Sequence, residues 1–348
     1  MKKLDNQATI TDVARMADVS IATVSRALDE ETRKLVAPET LNRIETVVRK
    51  CGYTPNLAAR NMRARKLKTI GILLPHVPNV FVSDYYSKIF SGVSNALLDS
   101  DYRFKLIAFK RFSEKLDGHQ FRSADGVDGL IVTDWPIFFS LKKVFEKVDV
   151  PCVIVGDPEE GVRAHFVCGD NLRGGELAAK YLYENGHERI AVLSGLSWST
   201  DSRLRIEGFK RFFRRVGTAI PNEMIFQANY EEEDAARIVE RLVLEKKKVT
   251  AIFCCNDNMA IGAIHKLKQL GVRCPGKISV VGYDDEARGQ HLQPALTTVH
   301  VGTQELGQAA ITKLLEFLKE GKKDKFYGER TVLPVSLIER QSVGSCQK

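Results

Sequence analysis

Apolar positions in the first fifty residues recur three and four apart, the spacing of helices that bury one face. In the stretch TITDVARMADVSIATVSRAL, Thr9 to Leu28, the residues Ile10, Val13, Ala14 and Ala17 share one such face, and Val24 and Leu28 share the next. Thr9 is placed to cap the first helix, and Asp12, three residues on, reaches back to complete a capping box. Asp18-Val19-Ser20 interrupts the pattern, because aspartate tolerates the left-handed backbone of a sharp turn and Ser20 caps the second helix. The spacing therefore predicts two short helices set across each other, with Ile21, Ala22, Ser25 and Arg26 turned outward on the second. A third helix is predicted from Pro38, which suits a first turn, to Gly52, which suits an end, with Leu41, Ile44, Val48 and Cys51 as its buried stripe.

From Tyr53 to Lys68 the pattern weakens. Pro55 forces an extended entry, and Asn56 can cap a helix of under two turns from Leu57 to about Arg63, too short to persist in water without a partner surface. The stretch carries Arg60, Arg63, Arg65, Lys66 and Lys68 and no acid after Asn56, so phosphates or a twin segment from a second subunit would stabilise it.

Beyond Thr69, short apolar runs alternate with longer periodic segments. TIGILLP, RFKLIAF, GLIVT and PCVIVG read as strands, with helices near Asp84–Asp99 and Phe138–Lys147. A second series comprises helix Leu172–Asn185, strand RIAVLS, helix Leu204–Val216, strand MIFQAN, helix Glu232–Glu245, strand TAIFCC, helix Asn258–Leu270 and strand ISVVGY. Such alternation means parallel sheets covered on both faces, here in two doubly wound α/β lobes behind a small all-α head. Ligands in such folds sit at the carboxyl ends of the strands, so a cleft between the lobes is the expected pocket. A helix over Thr303–Lys319 carries Leu306, Leu314 and Leu315 on a face that packs either within a lobe or against a second subunit.

Charge changes the picture more than composition does. Of 348 residues, 44% are hydrophobic and 28% charged, ordinary for a globular protein. Residues 1–68 hold 14 Lys and Arg against 8 Asp and Glu, so +6 of the net +8 resides in the head and the segment after it. A basic head on a nearly neutral body suggests a polyanion that meets the head alone. A helix presenting small side chains and one arginine suits a DNA major groove, where arginine reads guanine and a small apolar group meets a thymine methyl. Neither a long apolar run nor a signal-like N-terminus is present, so a cytoplasmic protein without membrane attachment is expected.

Catalytic chemistry finds little support. The seven cysteines show no CxxC or His-rich spacing and read as buried thiols rather than metal ligands. Gly195-Leu196-Ser197-Trp198-Ser199 lacks the second glycine of a nucleophile elbow, and no P-loop or dinucleotide fingerprint occurs. A non-enzyme without cofactor or metal is expected.

The ordered segments ATITDVARMADVSIATVSRAL, GYTPNLAARNMR, VDGLIV, GDNLRGGELAAKYLYENGHERIAVLSG, RIEGF, NDNMAIGAIHKLKQLG, ISVVGYDD and PALTTVHVGTQELGQAA resemble the LacI/GalR bacterial transcription regulators over essentially the whole chain. The resemblance implies a helix-turn-helix head over 1–52, a hinge over 53–68, and an effector-binding and dimerisation domain over 69–348 resembling periplasmic binding proteins. The lobe boundary would fall near 166–170, with return crossovers near 299–303 and 328–334. It implies a homodimeric repressor on near-palindromic double-stranded operator DNA. In the head, Ile21 and Ala22 match the main base-reading pair, Arg26 reaches base edges, and Ser20, Thr23 and Ser25 contact phosphates. Asn56 and Ala59 match the hinge helix, and Met62 stands where an apolar wedge enters the minor groove. In the cleft, Arg205 matches the ligand-anchoring arginine, Asp284 and Asn256 its polar partners, and Tyr230 a stacking aromatic. Asp134, Phe81 and Tyr85 would contribute from the first lobe.

The chain departs from the family pattern at Asp18, Asp29 and Ala37. Asp18 replaces a turn glycine, Asp29-Glu30-Glu31 puts acid near the phosphate path, and Ala37 replaces a serine cap at about 1 kcal/mol. An arginine, an aspartate, an asparagine and a flat aromatic suit a sugar or sugar derivative as effector, with a purine or nucleoside as the alternative. A solute-binding protein without a regulatory role is the rival from another class.

Overall fold

The computed structural model describes residues 8–29, 32–54, 67–75, 80–109, 126–133, 151–157, 164–320 and 329–346. Asn56, Ala59 and Met62, the expected hinge helix, Asp134 and the expected helix over 138–147 lie outside these residues. Contacts divide the chain into Met1–Leu67 and Lys68–Lys348.

In the first unit, α1 (Ile10–Met16), α2 (Ile21–Ala27) and α3 (Pro38–Cys51) enclose a small core of Val13, Ala14, Ala17, Val24, Ala27 and Ile44. Leu28, Leu41, Val48 and Cys51 pack around it, half-buried. The capping box forms in full: Thr9 Oγ1 accepts from the Asp12 N–H at 3.3 Å, and Asp12 Oδ2 accepts from the Thr9 N–H at 3.0 Å. Asp18 takes the left-handed conformation, φ 50°, that reverses the chain between α1 and α2. Ser20 Oγ then accepts from the Thr23 N–H at 3.1 Å, and Gly52 ends α3 at φ 62°. No side chain caps α3 at Ala37. Asp29 closes the turn after α2 instead, its Oδ1 accepting the Thr32 N–H at 3.2 Å.

The second unit holds two six-stranded sheets. In chain order the strands are β1 (Thr69–Pro75), β2 (Arg103–Phe109), β3 (Gly129–Val132), β4 (Cys152–Val155), β5 (His165–Gly169), β6 (Ile190–Ser194), β7 (Ile225–Gln227), β8 (Ala251–Cys254), β9 (Ser279–Asp284), β10 (Thr297–Val301), β11 (Arg330–Leu333) and β12 (Val335–Ile338). The helices are α4 (Asp84–Leu97), α5 (Asn171–Glu184), α6 (Thr200–Arg215), α7 (Glu232–Leu244), α8 (Asp257–Gln269), α9 (Ala287–Gln290) and α10 (Thr303–Glu320). The first lobe orders its sheet β11-β5-β4-β3-β1-β2, all parallel. The second orders β12-β10-β9-β8-β6-β7, parallel except for β12 against β10. The chain passes from one sheet to the other between β5 and α5, between β10 and α10, and between β11 and β12.

Helix α10 comes after a second-lobe strand yet packs on α4 of the first lobe. Their backbones touch: a Cβ on Gly92 would lie 1.9 Å from Gln304 O, and one on Gly307 would lie 2.3 Å from Ile89 O. Leu306 and Leu314 are buried, Leu314 against Gly129 of β3, and Leu315 is half-buried, so this face serves the lobe's own interior. In the second lobe α5 and α6 approach as closely, because Cβ atoms on Gly175 and Gly208 would each lie 1.9 Å from a carbonyl of the facing helix. Phe209 of α6 stacks on Phe253 of β8 with ring centroids 4.6 Å apart, anchoring the pair to the sheet.

Helix α6 begins at Thr200, four residues before the Leu204 expected from hydrophobic spacing. Ser199 caps it by accepting from the Ser202 N–H at 3.2 Å, and the polar first turn Thr200-Asp201-Ser202 hides the helix from a hydrophobic reading. Strands β5, β10, β11 and β12 are likewise not among the expected strands, since each is a run of four or five residues broken by polar or charged side chains. Among the described residues no helix is long and apolar enough to cross a membrane.

Candidate functional site

On the head, the outer face of α2 carries the expected reading residues. Ile21, Ala22, Ser25 and Arg26 are exposed, Ile21 by 39%, while Val24 and Ala27 of the same helix are buried. An exposed isoleucine beside an exposed arginine leaves apolar and charge-assisted contacts available together. Ser20 and Thr23 stand at the helix start with their hydroxyls 2.8 Å apart, so capping and any phosphate contact draw on the same two groups.

In the body, the ends of β4, β5, β9 and β10 converge on a narrow cavity between the lobes that is partly open to solvent. Tyr85, Val155, Gly156, Cys168, Gly169, Asn171, Asp201, Arg205, Asp284, Val301, Thr303 and Leu306 line it. Arg205 is the hub. Close approach of α5 and α6 sets its side chain against the start of α5, where Nε donates to Asn171 Oδ1 at 2.7 Å. Its Nη1 donates to the Cys255 carbonyl and lies 3.2 Å from Asp284 Oδ1, and the guanidinium carbon sits 3.8 Å from the Tyr283 ring centroid. Asn171 passes the network on, donating from Nδ2 to Asp157 Oδ2 at 2.7 Å. The Asp157 N–H, from the first lobe, donates to Asp201 Oδ1 of the second at 2.9 Å.

Burial governs the protonation of this cluster. Desolvation pushes the Asp284 carboxyl up to about 6, with Arg205 pulling it down and Asp201 adding to the rise. The Tyr85 hydroxyl is pushed well above its usual value by desolvation and then by the Asp201 charge. Glu286, buried just beyond the cavity, rises to about 7 through desolvation and the nearby charges of Asp284 and Asp84. Asp284 and Asp285 both have positive φ, 108° and 56°, and the strain is held by partners: Arg340 Nη2 donates to Asp285 Oδ1 at 2.6 Å, and His300 Nδ1 lies 3.1 Å from Asp285 Oδ2. Lys88 of α4 reaches across to donate to the Asp285 carbonyl at 3.0 Å.

Of the residues expected in the pocket, Arg205, Asp284 and Tyr85 come together on its wall. Tyr230 and Asn256 do not. The Tyr230 hydroxyl is 2.7 Å from Ser199 Oγ, and its ring lies over Gly195, where a Cβ would be 2.1 Å from the ring. Asn256 caps α8 by accepting the Met259 N–H at 3.0 Å and donates to the Tyr230 carbonyl at 3.4 Å, so its amide is engaged locally. Phe81 is 64% exposed and lies tilted against Phe90, away from the cavity wall. Asn171, Asp157 and Asp201 are not among the residues expected from the sequence. The signal that could have found Asp201 is the Ser199-Thr200-Asp201 helix start ahead of the apolar run, a cap signature.

Comparison with known proteins agrees with both halves. The model of the bacterial regulatory proteins of the lacI family matches residues 9–56, and that of the periplasmic binding protein-like domain matches residues 179–343. The HTH-type transcriptional repressor PurR of Vibrio vulnificus (strain CMCP6) is 33% identical over 320 residues, covering 91% of this chain and 94% of the relative. The complex of the transcriptional regulator CelR with cellobiose is similar at 26% identity and TM-score 0.70, covering 96% of this chain and 99% of the other. The lac repressor dimer bound to operator and the anti-inducer ONPF superposes with TM-score 0.79 at 24% identity, covering 97% and 100%. The exposed α2 face and the two-lobed cleft are thus features of a DNA-binding transcriptional repressor, and the chain belongs to the lacI family of bacterial regulatory proteins.

Proposed function

We propose that this protein represses transcription as a homodimer on a near-palindromic operator and that a small polyhydroxylated molecule, a sugar or sugar derivative, held between the lobes controls it. The observation that carries the reading is the buried Arg205–Asp284–Asn171 network at the mouth of the strands, a set of fixed polar groups in a cavity also lined by Val155, Val301 and Leu306. Ile21, Ala22 and Arg26 read bases, while Ser20, Thr23 and Ser25 meet phosphates. An effector that prefers one pose of the lobes shifts operator affinity by its coupling free energy, typically about 1–3 kcal/mol. A second reading, a purine or nucleoside effector, is favoured by the relatives that carry the name PurR.

The test joins two measurements. Salt-dependent gel retardation of the full chain on palindromic DNA is expected to show specific binding that weakens steeply with ionic strength. Residues 67–348 alone are expected to keep ligand binding and lose DNA affinity. Operator binding retained by that fragment would overturn the assignment of roles, and a thermal-shift panel of sugars against nucleosides separates the two effector readings.

A further inference from the structure

We infer that the cleft selects an effector bearing an amino group, and that Asp201 is the residue that reads it. The inference rests on the cleft being the effector site and narrows the ligand's chemistry within it. Among the described residues, the cavity wall carries two carboxylates, Asp201 and Asp284, against one cation, Arg205. That cation is largely engaged within the protein: Nε is held by Asn171, Nη1 by the Cys255 carbonyl and by Asp284, and its face lies on Tyr283. Its charge is balanced by Asp284.

Asp201 makes no ion pair of that kind among the described residues, and Arg205 acts on it only through its field. One of its oxygens accepts the Asp157 N–H, and among the described residues no lysine, arginine or histidine forms an ion pair with it. Its field reaches the whole cleft, raising the proton affinity of Tyr85, Asp157, Tyr230 and Asp284. The carboxylate lines the cavity close to Gly156, where a Cβ would come into van der Waals contact with Oδ2 at 3.8 Å.

A partly buried carboxylate with no ion-pair partner among the described residues gains the Coulomb attraction of a full ion pair from an ammonium, whereas a neutral hydroxyl supplies only a hydrogen bond. A ligand phosphate or carboxylate would meet two like charges and a guanidinium with few donors left. The matching ligand is therefore a small polyhydroxylated ring with a protonated amine, with hydroxyls for Asp284, the remaining Arg205 N–H groups and Tyr85, and the ammonium for Asp201.

The experiment is calorimetric titration and thermal shift of the full chain with matched pairs: glucose and glucosamine, galactose and galactosamine, with glucose 6-phosphate as the anionic arm and adenosine and hypoxanthine as the purine arm. A hexosamine is expected to bind at least about tenfold more tightly than its neutral partner, and Asp201→Asn is expected to bring the pair within about threefold. Asparagine keeps the oxygen that accepts from Asp157, so the unliganded fold is retained. Should that variant melt below the parent, Asp201→Glu, which keeps the charge, must keep the preference. A neutral sugar, phosphate or purine that binds as well as the hexosamine overturns the inference and leaves the cleft as the effector site. A preference that survives in Asp201→Asn does the same. If no member of the panel shifts the parent's melting, the effector reading falls together with this one.

Discussion

Replacing Arg205 with methionine keeps the aliphatic stem and removes the guanidinium. Arg205 and Asp284 are 8% and 13% exposed at their side chains, so the pair is broken inside the protein rather than at its surface. The cost has parts that can be sized. Asp284 titrates near 6 beside Arg205, so at pH 7 it can escape the loss of its partner by taking up a proton. At 1.36 kcal/mol per unit, that escape limits the added carboxylate penalty to about 1.4 kcal/mol. Asn171 Oδ1 and the Cys255 carbonyl lose their donor, at about 1–3 kcal/mol each when buried. The sum, about 3–7 kcal/mol, spans what breaking a buried pair usually costs and far exceeds the roughly 0–1 kcal/mol of a surface pair. Thermal melts of Arg205→Met and the parent at pH 7.5 and 5.5 read this directly. The variant is expected to melt roughly 10 °C lower at the higher pH, with the gap narrowing by about 1 kcal/mol at the lower, where Asp284 is neutral in both. A loss below about 1 kcal/mol that ignores pH would refute the buried-hub reasoning.

Other expectations come from the same geometry. Arg26→Ala should cost about 1–3 kcal/mol of operator affinity and relax selectivity at one base position in a binding-site selection, and uniform weakening across all sequences would make Arg26 a phosphate contact instead. Gly175→Ala places a Cβ 1.9 Å from the Arg205 carbonyl, so denaturant melts should show a loss of about 3 kcal/mol or more, and a near-neutral result would mean α5 and α6 separate easily. Glu286 has a folded value near 7 against 4.5 for a free carboxyl, so its contribution to stability is present below about 4.5 and is lost as pH rises through 7. Glu286→Gln should therefore stabilise the protein at pH 8, by up to about 3 kcal/mol, and confer almost nothing at pH 4, as melting curves at the two values will show.

Local chemistry wrote the head into the sequence. The capping box at Thr9 and Asp12, the left-handed turn at Asp18, the Ser20 cap and the Pro38-to-Gly52 helix are each satisfied within a few residues of chain, so their partners can be named before any tertiary contact forms. The division of α2 into a buried and an exposed face comes from the same helical period. The alternation of apolar runs and amphipathic segments likewise determined two parallel-sheet lobes and placed a pocket at their strand ends. Arg205 and Asp284 were legible because both stand in segments that resemble a known family.

Long-range packing decided the rest. Whether Asn256 faces a ligand or caps its own helix depends on competition between a nearby N–H and a distant cavity, and the nearby Met259 N–H won. Tyr230 spends its hydroxyl on Ser199 for a similar reason. Strands β5, β10, β11 and β12 carry polar or charged residues such as His165, Thr298, Arg330 and Ser336 within short runs, so hydrophobic spacing does not mark them and their pairing in the sheets does. Asp201 became a wall of the cleft only when a polar first turn, silent in hydrophobic spacing, was carried across to Asp157 by the packing of α6 on α5. Periodicity and capping act over a few residues and are recorded in order along the chain. The charge balance of a cavity is set by which surfaces two lobes bring face to face, and that is a property of the folded molecule.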